Sequence, residues 1–302
     1  MEKIKLTILG TSGSVPQKDK TFASVALTYC GQNLLFDCPE GNQRQLMNST
    51  ISLMKIDTVF ISHLHADHFL GLFGWIATMT LNERREKLII YSPIGGKQKF
   101  EKIMKETIKP CFEIEYREIK TGVLIKNELL EISAFPLKHE ISCFGFVIKE
   151  KDKDGEFDRK KAEKLGIPPG PLYAKLVSGK TITVNGKKFT KKDVFNYSKN
   201  RVGRKIVIVS DTRPVPQTIA KAKDADLLIH ESSFVEEFKD KAIASLHSTA
   251  KEAGEIAKKA NVKKLVLYHF SARINDSKDF EKEAKKEFTN TSAANDLDII
   301  EV

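Results

Sequence analysis

The segment HLHADH at positions 63–68 puts three of the chain's seven histidines and an aspartate into six residues. His63 and His65 are two apart, so on a strand end or tight loop their side chains point the same way. Asp67 and His68 open a stretch, running to Leu81, whose apolar residues recur at helical spacing. Imidazole and carboxylate are groups that suit zinc, and four of them this close are enough to begin two adjacent sites. The preceding apolar run IDTVFIS reads as a buried strand, which places His63 at its carboxyl end, where α/β folds gather their ligands.

Three further residues share that placement. His139 comes just beyond LLEISAFPLK, His269 follows KKLVLY, and Asp211 closes KIVIVS. Each alone reads as a surface residue or a strand-end turn; with 63–68 they form a set of five imidazoles and two carboxylates. A metal-facing imidazole needs its second nitrogen tied to a carboxylate or carbonyl, and spacing does not say which groups do this.

The elements that must position this set alternate along the chain. From residue 1 to about 150, KIKLTILG, ASVALTY, NLLFDC, IDTVFIS, KLIIYS, VLIKNELLEISAF and CFGFVIK are separated by turns. The pattern resumes near residue 205 with KIVIVSDT, DLLIHES and KKLVLYHF, between helix-like stretches TIAKAKDA and STAKEAGEIAKKA. Runs of strands with helices between them predict a layered α/β chain, one domain over 1–302 with an insertion at 151–204. That insertion holds 15 Lys or Arg against 6 Asp or Glu, a net of +9, whereas the remainder has 35 against 34. The overall charge of +10 and pI near 9.2 are therefore local properties. A basic segment of this kind suits a polyanionic partner or is a solvated lysine-rich loop.

Cys30, Cys38, Cys111 and Cys143 are scattered and form no C-x-x-C pair, which argues against a zinc ribbon or a disulfide framework and predicts reduced, buried thiols. No apolar run approaches the roughly 18 residues of a membrane span, and the first residues lack a signal-peptide pattern. The expectation is a cytoplasmic protein with no membrane partner.

HLHADH, His139, SDTRP at 210–214 and His269 resemble the motif series of the metallo-β-lactamase superfamily. The fuller order, from LTILGTSGSVP through FDCPEGNQRQL to HFSAR at 269–273, resembles the ribonuclease Z family over almost the whole chain. The resemblance implies an αββα sandwich with an inserted basic substrate-binding arm at 151–204. It implies two Zn2+ per subunit, one held by His63, His65 and His139, the other by Asp67, His68 and His269, with Asp211 bridging. The implied reaction is zinc-dependent hydrolysis of precursor tRNA beyond the discriminator nucleotide, leaving a 3′ hydroxyl on the tRNA and a 5′ phosphate on the trailer. Asp67 would double as proton acceptor. A homodimer is implied, one subunit's arm serving substrate bound by the other.

The same resemblance extends to HESSF at 230–234, similar to the family's His-Glu-Ala-Thr element with Ser232 and Ser233 in place of Ala and Thr, and to LHST at 246–249, similar to its His-Ser-Thr element. Glu231 would then orient His247, which would protonate the departing 3′ oxygen. GIPPGPLYAKLVSGKTI at 166–182 resembles the family's substrate-binding arm, with Gly170 and Pro171 at its Gly-Pro element. Its proline and glycine density reads as a stiff turn whose flanking lysines meet phosphates without reading sequence, as recognition of tRNA shape requires. Arg273 lies four residues after His269, within reach of a substrate phosphate.

Independently of the resemblance, Thr249 and Glu252 have capping-box spacing and start a helix just after His247, whose charged form the helix dipole disfavours. The loop after the first strand, VPQKDKTFAS, keeps Lys18 and Lys20 but lacks the Arg-Asn pair of several relatives, so no response to a 3′ CCA end is implied. Two other readings compete: a small-molecule phosphodiesterase or lactonase of the same fold, which needs no basic insertion, and a noncatalytic RNA-binding subunit.

Overall fold

The computed structural model describes residues 2–153, 155–274 and 276–302; Asp154, inside the basic stretch, lies outside the described residues. The chain divides into two compact units, one comprising the residues up to Lys149 together with Lys205–Val302, the other Glu150–Arg204.

The larger unit is built on two seven-stranded sheets. The first runs, in spatial order, Ile299–Glu301, Lys5–Gly10, Ser24–Tyr29, Gln32–Phe36, Thr58–Phe60, Leu88–Ser92 and Ile114–Glu118. The second runs Thr291–Ala293, Leu265–Tyr268, Leu227–Glu231, Lys205–Val209, Phe144–Glu150, Leu130–Pro136 and Gly122–Lys126. Their inner faces meet in one core, where Phe36, Phe60 and Tyr91 stack across three adjacent strands at 5.0 and 4.9 Å and Phe146 of the second sheet tilts against Phe36 at 5.3 Å. Each outer face carries helices: Trp75, Ile76 and Met79 of helix Gly71–Leu81 cover the first, and Ala253, Ile256 and Ala257 of helix Ala250–Lys259 the second. The expected αββα sandwich is the observed architecture.

Parallel pairing explains how distant residues reach one edge. In the first sheet Phe36 pairs with Phe60 and Phe60 with Tyr91, so the residues after Phe36 and Phe60 emerge side by side. In the second, Val209 pairs with His230 and Glu231 with Tyr268, so Asp211, Glu231 and His269 leave neighbouring strands at the same end.

Several expectations are corrected. VLIKNELLEISAF is not one run but a hairpin, Gly122–Lys126 against Leu130–Pro136, turned by Asn127, whose side-chain oxygen accepts from the amides of Leu129 and Leu130. The stretch Asp67–Leu81 forms two helices, Ala66–Phe69 and Gly71–Leu81. Cys38 and Cys143 are buried, but Cys30 is only partly so and Cys111 is exposed.

The unit Glu150–Arg204 has a small core of its own. Ala162, Ile167, Leu176, Ile182, Phe189, Val194 and Phe195 pack together, so this segment is a folded body and not a solvated loop. The stretch 166–182, read as a stiff turn, contains helix Pro171–Val177 after Gly170, whose φ of 135° only glycine adopts without strain. The unit is clipped at its base: Arg204 donates to both oxygens of buried Glu150 at 2.8 and 3.0 Å, and Arg201 adds a second guanidinium.

Candidate metal centre and active site

Strand ends of both sheets deliver the predicted set to one place. His63 follows Thr58–Phe60, His65 is the N-cap of helix Ala66–Phe69, and Asp67 and His68 lie in that helix. Around Asp211 the distances are short: its Oδ2 is 3.6 Å from His63 Nε2, 3.5 Å from His68 Nε2 and 3.8 Å from His139 Nε2, and its Oδ1 is 3.2 Å from His269 Nε2. His65 Nδ1 sits 3.1 Å from His63 Nε2 and 3.2 Å from His139 Nε2, and Asp67 Oδ2 sits 3.7 Å from His68 Nε2. Ligand atoms of His63, His65 and His139 lie close enough to share an ion, as do those of His63, His68 and Asp211 and those of Asp67, His68 and His269.

The far nitrogen of each ring shows which end is committed. His63 Nδ1 meets Ser62 Oγ (3.0 Å), His68 Nδ1 meets Asp37 Oδ2 (2.8 Å), His139 Nδ1 meets the Leu246 carbonyl (3.2 Å) and His269 Nδ1 meets Ser233 Oγ (2.9 Å). All four therefore turn Nε2 inward, the arrangement by which a tied imidazole presents its lone pair to a cation. His68 Nε2, His269 Nε2 and Asp211 Oδ1 are buried with no hydrogen-bond partner, which is costly unless a ligand takes them. The donor set fits divalent zinc.

Burial, reinforced by the ring of His68, pushes His63 well below the usual imidazole range, and burial lowers His139 and His269 too. For His68 burial opposes the charge, but Asp211 and Asp37 outweigh it and raise the pKa. Asp211 is likewise held well below the carboxylate range against burial, by His269 and His68.

Asp37 is the residue that spacing did not reveal. It follows strand Gln32–Phe36 at φ 60°, and its Oδ1 accepts the Ser62 amide at 2.7 Å while Oδ2 takes the Ser62 hydroxyl and His68. The signal was there, in the aspartate of FDCPEG ending an apolar run. Gly13 is another: a Cβ there would come within 2.5 Å of the His269 ring, so only glycine leaves that ring its place.

Glu231, at the end of strand Leu227–Glu231, is buried and saturated. Its Oε1 accepts from the Thr212 and Ser248 amides (3.1 and 2.9 Å) and faces His247 Nδ1 at 3.1 Å; its Oε2 accepts from the Ser233 amide and hydroxyl (2.8 and 3.0 Å). The capping box of Thr249 and Glu252 is present, but its dipole does not decide the charge of His247. Burial lowers that pKa, yet Glu231 and Asp211 outweigh it and bring it up to about 9. His230, the remaining histidine, points to the other face of its strand and is no part of the set.

Arg273 is exposed and lines a cavity of about 360 Å³ with Ser14, Phe234, Ser245 and His247. Gly170 and Pro171 belong to the unit Glu150–Arg204, as N-cap and first residue of helix Pro171–Val177.

Comparison with known proteins agrees with this geometry. A Bacillus subtilis metallo-β-lactamase fold protein, YhfI, superposes with a TM-score of 0.73 at 19% identity over all of both chains, which gives the fold. The short form of human tRNase Z superposes at 0.71 with 27% identity, covering 98% of each chain. The chain is thus a metallo-β-lactamase fold protein with the histidine and aspartate cluster on its sheet edge. A family profile described as Anti-Pycsar protein Apyc1 matches residues 4–149. Ribonuclease Z of Archaeoglobus fulgidus is 46% identical over 302 residues, 99% of this chain and 97% of the relative, and that of Methanosarcina acetivorans is 38% identical over 99% and 98%. The chain belongs to the ribonuclease Z family.

Proposed function

We propose that this protein is a zinc-dependent endoribonuclease that removes the 3′ trailer from precursor tRNA. The observation that carries the reading is the inward turn of four tied imidazoles around Asp211, with buried ligand atoms left unpartnered. His63, His65 and His139 would hold one zinc, Asp67, His68 and His269 the second, and Asp211 both. When bound, the pair of ions supplies a water of lowered pKa and neutralises charge on the phosphoryl oxygen. Asp67, its Oδ2 held by the Ser14 amide at 3.0 Å, accepts a proton from the attacking water. His247, with Nδ1 on Glu231, offers Nε2 to the departing 3′ oxygen. The products are a tRNA with a 3′ hydroxyl and a trailer with a 5′ phosphate.

Arg273 contacts a phosphate beside the cut, and Gly170, Pro171 and the exposed lysines of the unit Glu150–Arg204 bind the tRNA body. The enzyme is a cytoplasmic homodimer, each arm serving the partner's substrate; no helix among the described residues is long and apolar enough to cross a membrane. The test is incubation with a 3′-extended tRNA and mapping of the cut. A single cut after the discriminator, abolished by chelator and restored by zinc, is expected. Cleavage that survives complete metal removal, or none with zinc loaded, overturns the reading.

A further inference from the structure

We propose that Arg213 is a positioning residue for this reaction, fixing the main chain that carries His247; the inference rests on the reading of His247 as proton donor. Arg213 lies two residues after Asp211, and its amide donates to the Lys138 carbonyl at 2.9 Å, beside His139. Its largely buried guanidinium donates through one nitrogen to the His247 carbonyl and to Glu252 Oε2, the latter at 2.8 Å, and through the other to Glu252 Oε1. Glu252 Oε2 in turn accepts the Thr249 amide (2.9 Å), and Thr249 Oγ1 accepts the Glu252 amide (3.2 Å). One planar fork thus ties the carbonyl of His247 to the cap of the helix that begins three residues later.

The turn needs such a tie. Leu246 has φ 56°, a left-handed conformation that leucine keeps only under constraint, and His247 lies before the helix proper. Thr212 completes the frame: its amide donates to Glu231 Oε1 at 3.1 Å and its carbonyl accepts the Ser248 hydroxyl at 2.6 Å. Asp211, Thr212 and Arg213 therefore connect, in sequence, to the ligand cluster, to the carboxylate partner of His247 and to the backbone of His247. A proton donor displaced by about 1 Å can lose 10²-fold in rate, so the fork sets whether His247 reaches the leaving oxygen.

The experiment compares two leaving groups under single-turnover conditions. A ribose 3′ oxygen needs a proton as it departs; p-nitrophenolate does not. Arg213→Ala should slow cleavage of a saturating 3′-extended tRNA by about 10²-fold while bis(p-nitrophenyl) phosphate hydrolysis and zinc content change less than about threefold. In a His247→Ala background Arg213→Ala should cost nothing further, because the two act as a unit. If Arg213→Ala does not fold, Arg213→Lys, which keeps the charge but loses the fork, carries the same test at about tenfold. Equal losses on both substrates, or losses that add to those of His247→Ala, overturn the proposal. If His247→Ala itself fails to separate the two substrates, the proton-donor reading falls and this inference with it; if His247→Ala separates them and Arg213→Ala does not, only the inference falls.

Discussion

The cluster around Asp211 and the unit Glu150–Arg204 treat charge in opposite ways. The first buries it: His63, His68, Asp211, Glu231 and His269 are at most 2% exposed, and some of their polar atoms meet no hydrogen-bond partner. The second displays it: Lys160, Lys164, Lys175, Lys187, Lys188 and Lys192 are exposed over an apolar core, and its buried carboxylate, Glu150, is matched by two arginines. Unpartnered polar atoms in a core are destabilising until a ligand takes them. Exposed lysines remain hydrated and bind polyanions by releasing counterions. On the proposed reading, function in the first region rests on single atoms, and in the second on a sum of small contributions.

The contrast is sharpest at Asp211. Asp211→Ala should lower tRNA cleavage by about 10³-fold or more, the several kcal/mol a bound metal contributes, with loss of bound zinc measured by elemental analysis. Full activity in that variant would break the contrast. Replacing residues 151–203 by a short flexible linker should cost about 10²-fold or more on precursor tRNA at physiological salt yet spare bis(p-nitrophenyl) phosphate; unchanged tRNA processing would show that this unit does not bind the tRNA body. Asp37→Asn, which unties His68 without removing a metal-facing atom, should weaken zinc affinity by about 10–100-fold in a chelator competition. Glu150→Ala removes the buried carboxylate that Arg201 and Arg204 share and should destabilise the basic unit by about 3 kcal/mol, read as faster proteolysis within 150–204 while the two-sheet body resists. The smallest effect belongs to Lys187→Glu with Lys188→Glu: tRNA binding a few-fold weaker, and a salt slope reduced by about 0.7–0.9 per lost phosphate contact.

What was legible in the sequence followed the same division. Ligands at strand ends could be read because a histidine or aspartate closing an apolar run has one place to go, and HLHADH, His139, Asp211 and His269 do converge. Asp37 has the same placement but stands alone, with no second ligand near it to raise suspicion. Ser233 looked like a departure from the family's threonine, yet its hydroxyl reaches Glu231, His247 and His269 within 3.1 Å, so the oxygen and not the methyl is what the turn uses. In the basic stretch lysine spacing hid the apolar minority, Ala162, Leu176 and Phe195 among them, that folds it, and net charge says nothing about helix Pro171–Val177. For His247 both the dipole and the Glu231 partner were legible, whereas the second carboxylate, Asp211, is one that only the tertiary fold brings beside it.

The His269 ring is seated against Gly13, 256 positions away along the polymer. All the residues between them must therefore be made before this imidazole acquires its backing. Any cation held through His269 would therefore be captured only after these two distant segments have come together.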